Sequence, residues 1–235
     1  MSGFRSDLKI IVIGTSGTGK TSFVNKWTKN IFSDTYKATI VSEFGFKIFE
    51  QEGKLYRIQL WDLAGQDKNA MVTKIFAKDA HGCVVMADAT NRQTRDDTLK
   101  WKSSVDEVAT FLDGGKIPCL LVENKADLVD NPSDNSELEE FGASNEFCGS
   151  FKTSAKTGLN INESMEYLIK NIIQRMEAMQ SKGNEEVFNT NRKNVTLDPE
   201  KHNEVVTATK RKQKMDVVRY ILFKYKISIM GSLAS

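Results

Sequence analysis

The sequence predicts an α/β fold of three layers: a six-stranded, mostly parallel sheet with one antiparallel edge strand, and helices on both faces. Three observations predict it. Short apolar runs alternate with amphipathic stretches from residue 7 to about 179, the pattern of strands joined by helical crossovers. One pair of runs, 43–50 and 54–61, is joined only by Gln51-Glu52-Gly53, which reads as a hairpin. The first run leads directly into the glycine-rich stretch Gly14-Thr15-Ser16-Gly17-Thr18-Gly19-Lys20-Thr21, which has the form G-x-x-x-x-G-K-[ST] in the strand–turn–helix context that a phosphate-binding loop requires.

Taken in order, Leu8-Lys9-Ile10-Ile11-Val12-Ile13 reads as a buried strand, and a helix follows over 19–29. The hairpin supplies the second and third strands, and a helix over 69–78 returns the chain to a fourth strand, 82–88. A helix over 92–112 precedes a strand at 117–122, and a helix over 136–146 precedes a strand at 149–153. The last helix, 161–179, carries Ile161, Met165, Leu168, Ile169, Ile172, Ile173 and Met176 on one face, a spacing that marks core packing. Residues 180–209 are polar and weakly patterned and read as a flexible tail. The organisation expected is therefore one domain over 7–179 and a tail over 180–235 with a basic, partly apolar end.

Composition excludes several classes. A formal net charge of +2 gives no reason to expect nucleic-acid binding. Three cysteines, Cys83, Cys119 and Cys148, lie far apart and read as buried reduced thiols rather than a metal or disulfide framework. Met1-Ser2-Gly3-Phe4-Arg5 has no apolar core of a secretory signal, Ser2 replaces the glycine that myristoylation needs, and no run reaches the ~20 apolar residues of a membrane span.

The chemistry lies at the C-terminal ends of the strands, where ligands of such sheets bind. The glycine-rich loop, Ser16, Gly17, Thr18, Gly19, Lys20, Thr21 and Ser22, is expected to wrap a phosphate chain with backbone N–H groups and a helix N-terminus. Lys20 reaches the β- and γ-phosphates in this reading, and the Thr21 hydroxyl binds Mg²⁺. Trp61-Asp62-Leu63-Ala64-Gly65-Gln66 closes the third strand. Asp62 suits a Mg²⁺ carboxylate, Gly65 lets an N–H approach a γ-phosphate, and Gln66 orients attacking water as the catalytic residue. Asn124-Lys125-Ala126-Asp127 follows the fifth strand. A carboxylate at Asp127 accepts from N1–H and the 2-amino group of guanine, a donor pair that adenine lacks, which argues against an ATPase or nucleotide kinase. Thr153-Ser154-Ala155-Lys156 follows the last strand, so that Ser154, the Ala155 N–H and Lys156 also face the base, and Thr39 offers a hydroxyl to Mg²⁺ and an N–H to the γ-phosphate.

These ordered motifs resemble the Ras superfamily of small GTPases, and within it the Rab branch, over residues ~7–179. The resemblance implies the P-loop NTPase (Ras-like) fold, GTP/GDP as ligand with Mg²⁺ and slow hydrolysis of GTP to GDP, and a monomer is expected. It implies a switch I over about 32–42 and a switch II over about 63–76 that meet an exchange factor, a GTPase-activating protein and effectors. It also implies a role in intracellular vesicle traffic, in the cytoplasm and reversibly on the cytosolic face of endomembranes. Tyr36-Lys37-Ala38-Thr39-Ile40 with Glu43-Phe44 resembles a Rab effector region, and Phe44, Trp61 and Phe76 stand where Rabs place an aromatic effector triad. Leu99-Lys100-Trp101-Lys102 is similar to the Rab subgroup of lysosome-related organelles.

The departures from the family pattern are Val41-Ser42 for Gly-Val, Asp67-Lys68-Asn69 for Glu-Arg-aromatic, and Glu123 before Asn124, where a small residue is usual. Glu123 is expected either to weaken nucleotide affinity slightly or to point to solvent. No cysteine lies beyond Cys148, so the prenylated C-terminus of Rabs has no counterpart in the chain as written. Lys210, Arg211, Lys212, Lys214, Arg219, Lys224 and Lys226 form a basic cluster instead. Three readings of that end stay open: contact with anionic membrane, a terminus that is not the genuine one, or a disordered, aggregation-prone segment. Two functional alternatives stay open as well: a GTP-bound adaptor that does not hydrolyse, and a Ras-like switch acting off membranes.

Overall fold

A computed structural model describes residues 4–35, 43–65, 70–130 and 135–190. The chain divides into two compact units, Met1–Ser181 and Lys182–Ser235, and the architecture below is that of the first. The strands are β1 (Phe4–Gly14), β2 (Glu43–Gln51), β3 (Lys54–Asp62), β4 (Gly82–Asp88), β5 (Cys119–Asn124) and β6 (Gly149–Lys152). The helices are α1 (Lys20–Lys29), α2 (Ala70–Ala77), α3 (Arg92–Asp106), α4 (Ser136–Ser144) and α5 (Ile161–Thr190). They form one sheet in the order β2-β3-β1-β4-β5-β6. Only the β2–β3 pairing is antiparallel, so the expected mixed sheet with an antiparallel edge strand is what the chain forms.

The centre of the sheet is covered on both faces. In β1 the successive residues Leu8, Ile10, Ile11, Val12 and Ile13 are all buried, and every residue of β4 and β5 is buried too. A half-covered sheet would alternate; continuous apolar runs follow from helices on both sides. α1 packs on β1, β2 and β3, α3 on β1, β4 and β5, and α4 on β6. α5 comes so close to β4 that a Cβ at Gly82 would lie 2.7 Å from Ile172 Cδ1. Glu52 and Gly53, with φ of 52° and 71°, form the two-residue loop of the β2–β3 hairpin. Both central residues are left-handed, as a turn matching the strand twist demands. Cys83 and Cys119 face each other across β4 and β5, and all three cysteines are free thiols; burial pushes the Cys148 thiol up to about 12.

Two helix ends differ from the sequence reading by more than two residues. α3 stops at Asp106 rather than 112. Thr110 pairs with Lys116, and the Phe111 N–H donates to the Gly115 carbonyl at 2.7 Å, so the chain folds back through Asp113-Gly114-Gly115. Arg175 of α5 clamps this loop: its guanidinium lies 4.3 Å from the Phe111 ring centroid and bonds Asp113 and the Lys116 carbonyl, the latter at 2.6 Å. At the other end, α5 continues to Thr190, eleven residues past the expected boundary at 179.

Ile172 is fully buried between α5 and the sheet. Ile172→Ala is expected to lower unfolding free energy by about 2–5 kcal/mol, read as an earlier urea midpoint at unchanged slope.

Candidate functional site

The site begins where β1 ends. Gly14 holds φ of 139°, and a Cβ there would lie 2.3 Å from the Met86 carbonyl oxygen, so no other residue fits. The loop then turns into α1, whose first turn carries no acidic residue; the N-terminal end of the helix dipole presents positive potential there. Lys20 is buried, and its ammonium donates to the Gly14 and Thr15 carbonyls at 2.9 Å each. Burial lowers the Lys20 pKa to about 8, with the Asp62 carboxylate pulling the other way. Gly65 comes right against this loop: a Cβ there would be 2.4 Å from Lys20 Nζ and 2.6 Å from the Ser16 nitrogen. The Thr21 hydroxyl donates to Asp62 Oδ2 at the end of β3. This donor set is oxygen alone, a hydroxyl beside a buried carboxylate, and fits a hard cation such as Mg²⁺.

The second half of the site is built on β5 and β6. Asn124 is 2% exposed. Its Nδ2 donates to the Thr18 carbonyl at 3.0 Å, and its Oδ1 accepts the Ala155 N–H at 3.0 Å. Lys125 adopts a left-handed backbone, φ 66°, and its ammonium pairs with Asp88 at the end of β4 at 2.5 Å. Burial raises the Asp88 carboxyl, but hydrogen bonds from Lys125 and Thr90 and the Lys125 charge outweigh it and hold the group below its ordinary value. The Ser154 hydroxyl donates to Asp127 Oδ1 at 2.5 Å, and the Ala126 N–H donates to the Thr153 carbonyl at 2.9 Å. Hydroxyl donation fixes the orientation of the Asp127 carboxylate.

Between the two halves lies a cleft of about 570 Å³. Ser16, Gly17, Gly19, Lys20, Thr21, Ser22, Gly65, Asn124, Lys125, Asp127, Ala155 and Lys156 line it, so loops far apart in sequence meet at one cleft. Thr18, Asp62 and Ser154 are fully buried and touch lining residues from behind. Thr39 and Gln66 lie outside the described residues, as do Val41-Ser42 and Asp67-Lys68-Asn69. After α1, Ile31, Phe32, Ser33, Asp34 and Thr35 also line the cleft; the sequence reading placed 32–35 at the start of switch I but did not name them as cleft residues. It also missed Asp88, whose role is visible only once β4 and β5 are paired.

Two further expectations change. Glu123 neither faces the cleft nor reaches solvent: it is 2% exposed and paired with Arg95 of α3 at 2.7 Å. Strand alternation sends its side chain away from that of Asn124. The aromatic triad is continuous, with ring centroids 5.3 Å apart for Phe44–Trp61 and 5.6 Å for Trp61–Phe76. Phe76, however, is 4% exposed. It packs behind Trp61 because it sits on the inner face of α2, so the accessible aromatic surface is Phe44 with its neighbour Phe46, 52% and 58% exposed.

A sheet covered by helices on both faces, with a glycine loop and a buried lysine at its strand ends, defines a P-loop nucleotide-binding protein. Residues 9–174 match the model of the Ras family. The chain is 36% identical over 166 residues to the Ras-related protein Rab-7L1 of Rattus norvegicus, covering 70% of this chain and 81% of that protein. It is 36% identical over 175 residues to Rab-32 of Mus musculus, covering 74% and 78%, and 36% identical over 169 residues to Rab-32A of Dictyostelium discoideum, covering 70% and 77%. The chain belongs to the Ras family and to its Rab branch, and is a small GTPase: a GTP hydrolase that binds GTP and GDP and acts as a molecular switch.

The Lys20 pKa gives a pH dependence. Its value of about 8 lies below the ordinary 10.5, so between those pH values the nucleotide-free fold binds fewer protons than the unfolded chain, and its stability rises with pH. Bound phosphates favour the ammonium and raise that pKa. Nucleotide affinity is therefore expected to be full below pH 8 and to fall as pH rises beyond it, with proton uptake on binding measurable by calorimetry in buffers of different ionisation enthalpy.

Proposed function

We propose that this protein is a Rab-type switch of intracellular vesicle traffic, carried by residues 7–179, with GTP hydrolysis as its timer. The single observation that carries the reading is the Asn124 amide, which bonds the Thr18 carbonyl and the Ala155 N–H at 3.0 Å each and so holds a phosphate loop and two base loops around one cleft. In this reading the backbone of Ser16–Ser22 and the Lys20 ammonium bind the phosphates. Asp127 accepts the guanine N1–H and 2-amino group, the Ala155 N–H binds the O6, and Lys125 and Lys156 flank the base and sugar.

Thr21, Asp62 and Thr39 are the residues that would hold Mg²⁺, which when bound neutralises charge on the β- and γ-oxygens. Gln66 orients the attacking water against the γ-phosphate. The Thr39 and Gly65 N–H groups bind that phosphate and tie both switches down; once it leaves, those contacts are lost and the switches relax. A partner that recognises only the ordered switches reads the nucleotide state. An exchange factor, an activating protein supplying transition-state charge in trans, and effectors are the partners this cycle requires.

The exposed row Phe44, Phe46 and Ile48 on β2 supports an effector surface there. Exposed aromatic clusters are where partner contacts concentrate. The likeness to Rab-7L1 and Rab-32 supports action on the cytosolic face of endomembranes, in the lysosome-related subgroup. The basic residues 210–226 are the segment proposed to meet anionic lipid.

Gln66→Leu is expected to leave GTP binding intact while slowing single-turnover hydrolysis up to about 100-fold, the cost of a misplaced nucleophile. Radiolabelled phosphate release from preloaded protein measures it, and a wild-type rate removes Gln66 from the mechanism.

A further inference from the structure

Directly behind the base loops lies an ion pair that takes no part in the nucleotide cleft. Arg95, in the first turn of α3, donates from Nε to Glu123 at 2.7 Å and from Nη1 to Glu137 of α4 at 2.8 Å. Arg92 joins at the rim, 3.2 Å from Glu137. Side-chain exposure is 2% for Glu123 and 11% for Arg95, against 61% for Glu137, so the Arg95–Glu123 contact is the buried core of this network. A carboxylate so placed is tolerated only with its partner in position.

The same short stretch of backbone holds the base loops. The Glu123 carbonyl accepts the Thr153 N–H at 2.8 Å, and the next carbonyl, that of Asn124, accepts the Ala89 N–H at 2.8 Å. One residue before Arg95, the Thr94 hydroxyl accepts the Asp88 N–H at 2.8 Å, and the Asp88 carboxylate holds Lys125. The first turn of α3 therefore grips Asn124-Lys125-Ala126-Asp127 from behind at two points.

We propose that Arg95 is a positioning residue for guanine recognition, acting through Glu123 to fix the angle at which the end of β5 presents Asn124 and Asp127. The proposal rests on the assignment of Asp127 to the guanine 2-amino group. A guanidinium that bonds two carboxylates on different elements defines an orientation, which an apolar contact does not. Without Arg95 the Glu123 carboxylate is stranded, and it is relieved by movement of the strand end that carries the base loop. Lys20 and the glycine loop rest on β1 and α1 and are tied to this strand end only at the Asn124–Thr18 bond among the contacts described, whereas Asp127 is carried by it wholly, so the larger effect falls on base discrimination.

Release rates of GDP and of IDP, whose base lacks the 2-amino group, test this on the full chain for the wild type, Arg95→Met and Arg95→Lys. The expected result is GDP release faster by about tenfold in Arg95→Met, the scale of losing a supporting partner behind a binding residue, with IDP release changed less and the GDP preference narrowed. Arg95→Lys, which keeps the charge, recovers part of the preference. A lower melting temperature with the wild-type GDP-to-IDP ratio overturns the proposal, since a merely structural brace moves stability alone. Should Arg95→Met not fold, the pair Arg95→Met with Glu123→Met, which leaves no stranded charge, carries the test: a narrowed ratio supports positioning and a wild-type ratio overturns it. A wild-type protein with no preference for GDP overturns the guanine assignment itself and this proposal with it.

Discussion

One side-chain amide holds the nucleotide site together. Asn124 stands at the last position of β5, buried, with its donor on the Thr18 carbonyl and its acceptor on the Ala155 N–H. The Thr153 hydroxyl adds a longer contact at 3.4 Å. Three loops from β1, β5 and β6 are thereby fixed to one another through a group with two donors and one strong acceptor, a combination no other side chain but glutamine supplies. The constraint reaches the sequence of the partners as well. A Cβ on Gly19 would lie 2.4 Å from Asn124 Nδ2, so the glycine before Lys20 is required as much by this amide as by its own φ of 88°.

Around that fastening the protein keeps several groups in states that a free chain avoids. Lys20 is buried with its ammonium resting on two carbonyls, and burial drags its pKa down. An anion entering the cleft relieves that cost, which is how a preorganised positive site gains on water. Lys125 holds a left-handed backbone that a non-glycine residue adopts only when its surroundings insist. Here they are the Asp88 ion pair and the Ala126–Thr153 main-chain bond. These strained and desolvated positions gather at the strand ends, while the continuous apolar runs of β1, β4 and β5 supply the rigidity that maintains them.

What could be read from the sequence was what depends on local pattern. The fully apolar runs, the Glu52-Gly53 hairpin and the spacing of the glycine loop each carry their structural meaning within a few residues. The end of α3 was not legible, because Val108, Ala109, Phe111 and Leu112 continue a helical apolar pattern while the chain is already turning back. That turn is set by Asp113-Gly114-Gly115 and by Arg175, more than 50 residues away along the chain. Glu123 was misread for the same reason: its partner Arg95 is 28 residues distant. Phe76 matched the aromatic pattern, but its burial is decided by the side of α2 it occupies. In the cleft the motif residues lie together, whereas Phe32 and its neighbours, read only as the start of switch I, enter it through the chain path that leaves α1.

The switch proposed for this protein exists only if the cleft takes guanine and a phosphate chain together. Competition between GTP and ATP for the purified full chain tests this most directly. Displacement of bound fluorescent GDP by GTP, with ATP weaker by about 10⁴-fold or more as paired polar groups at the base predict, is the result expected. Displacement by both nucleotides at similar concentrations would contradict the guanine site and, with it, the assignment of Asn124 and Asp127.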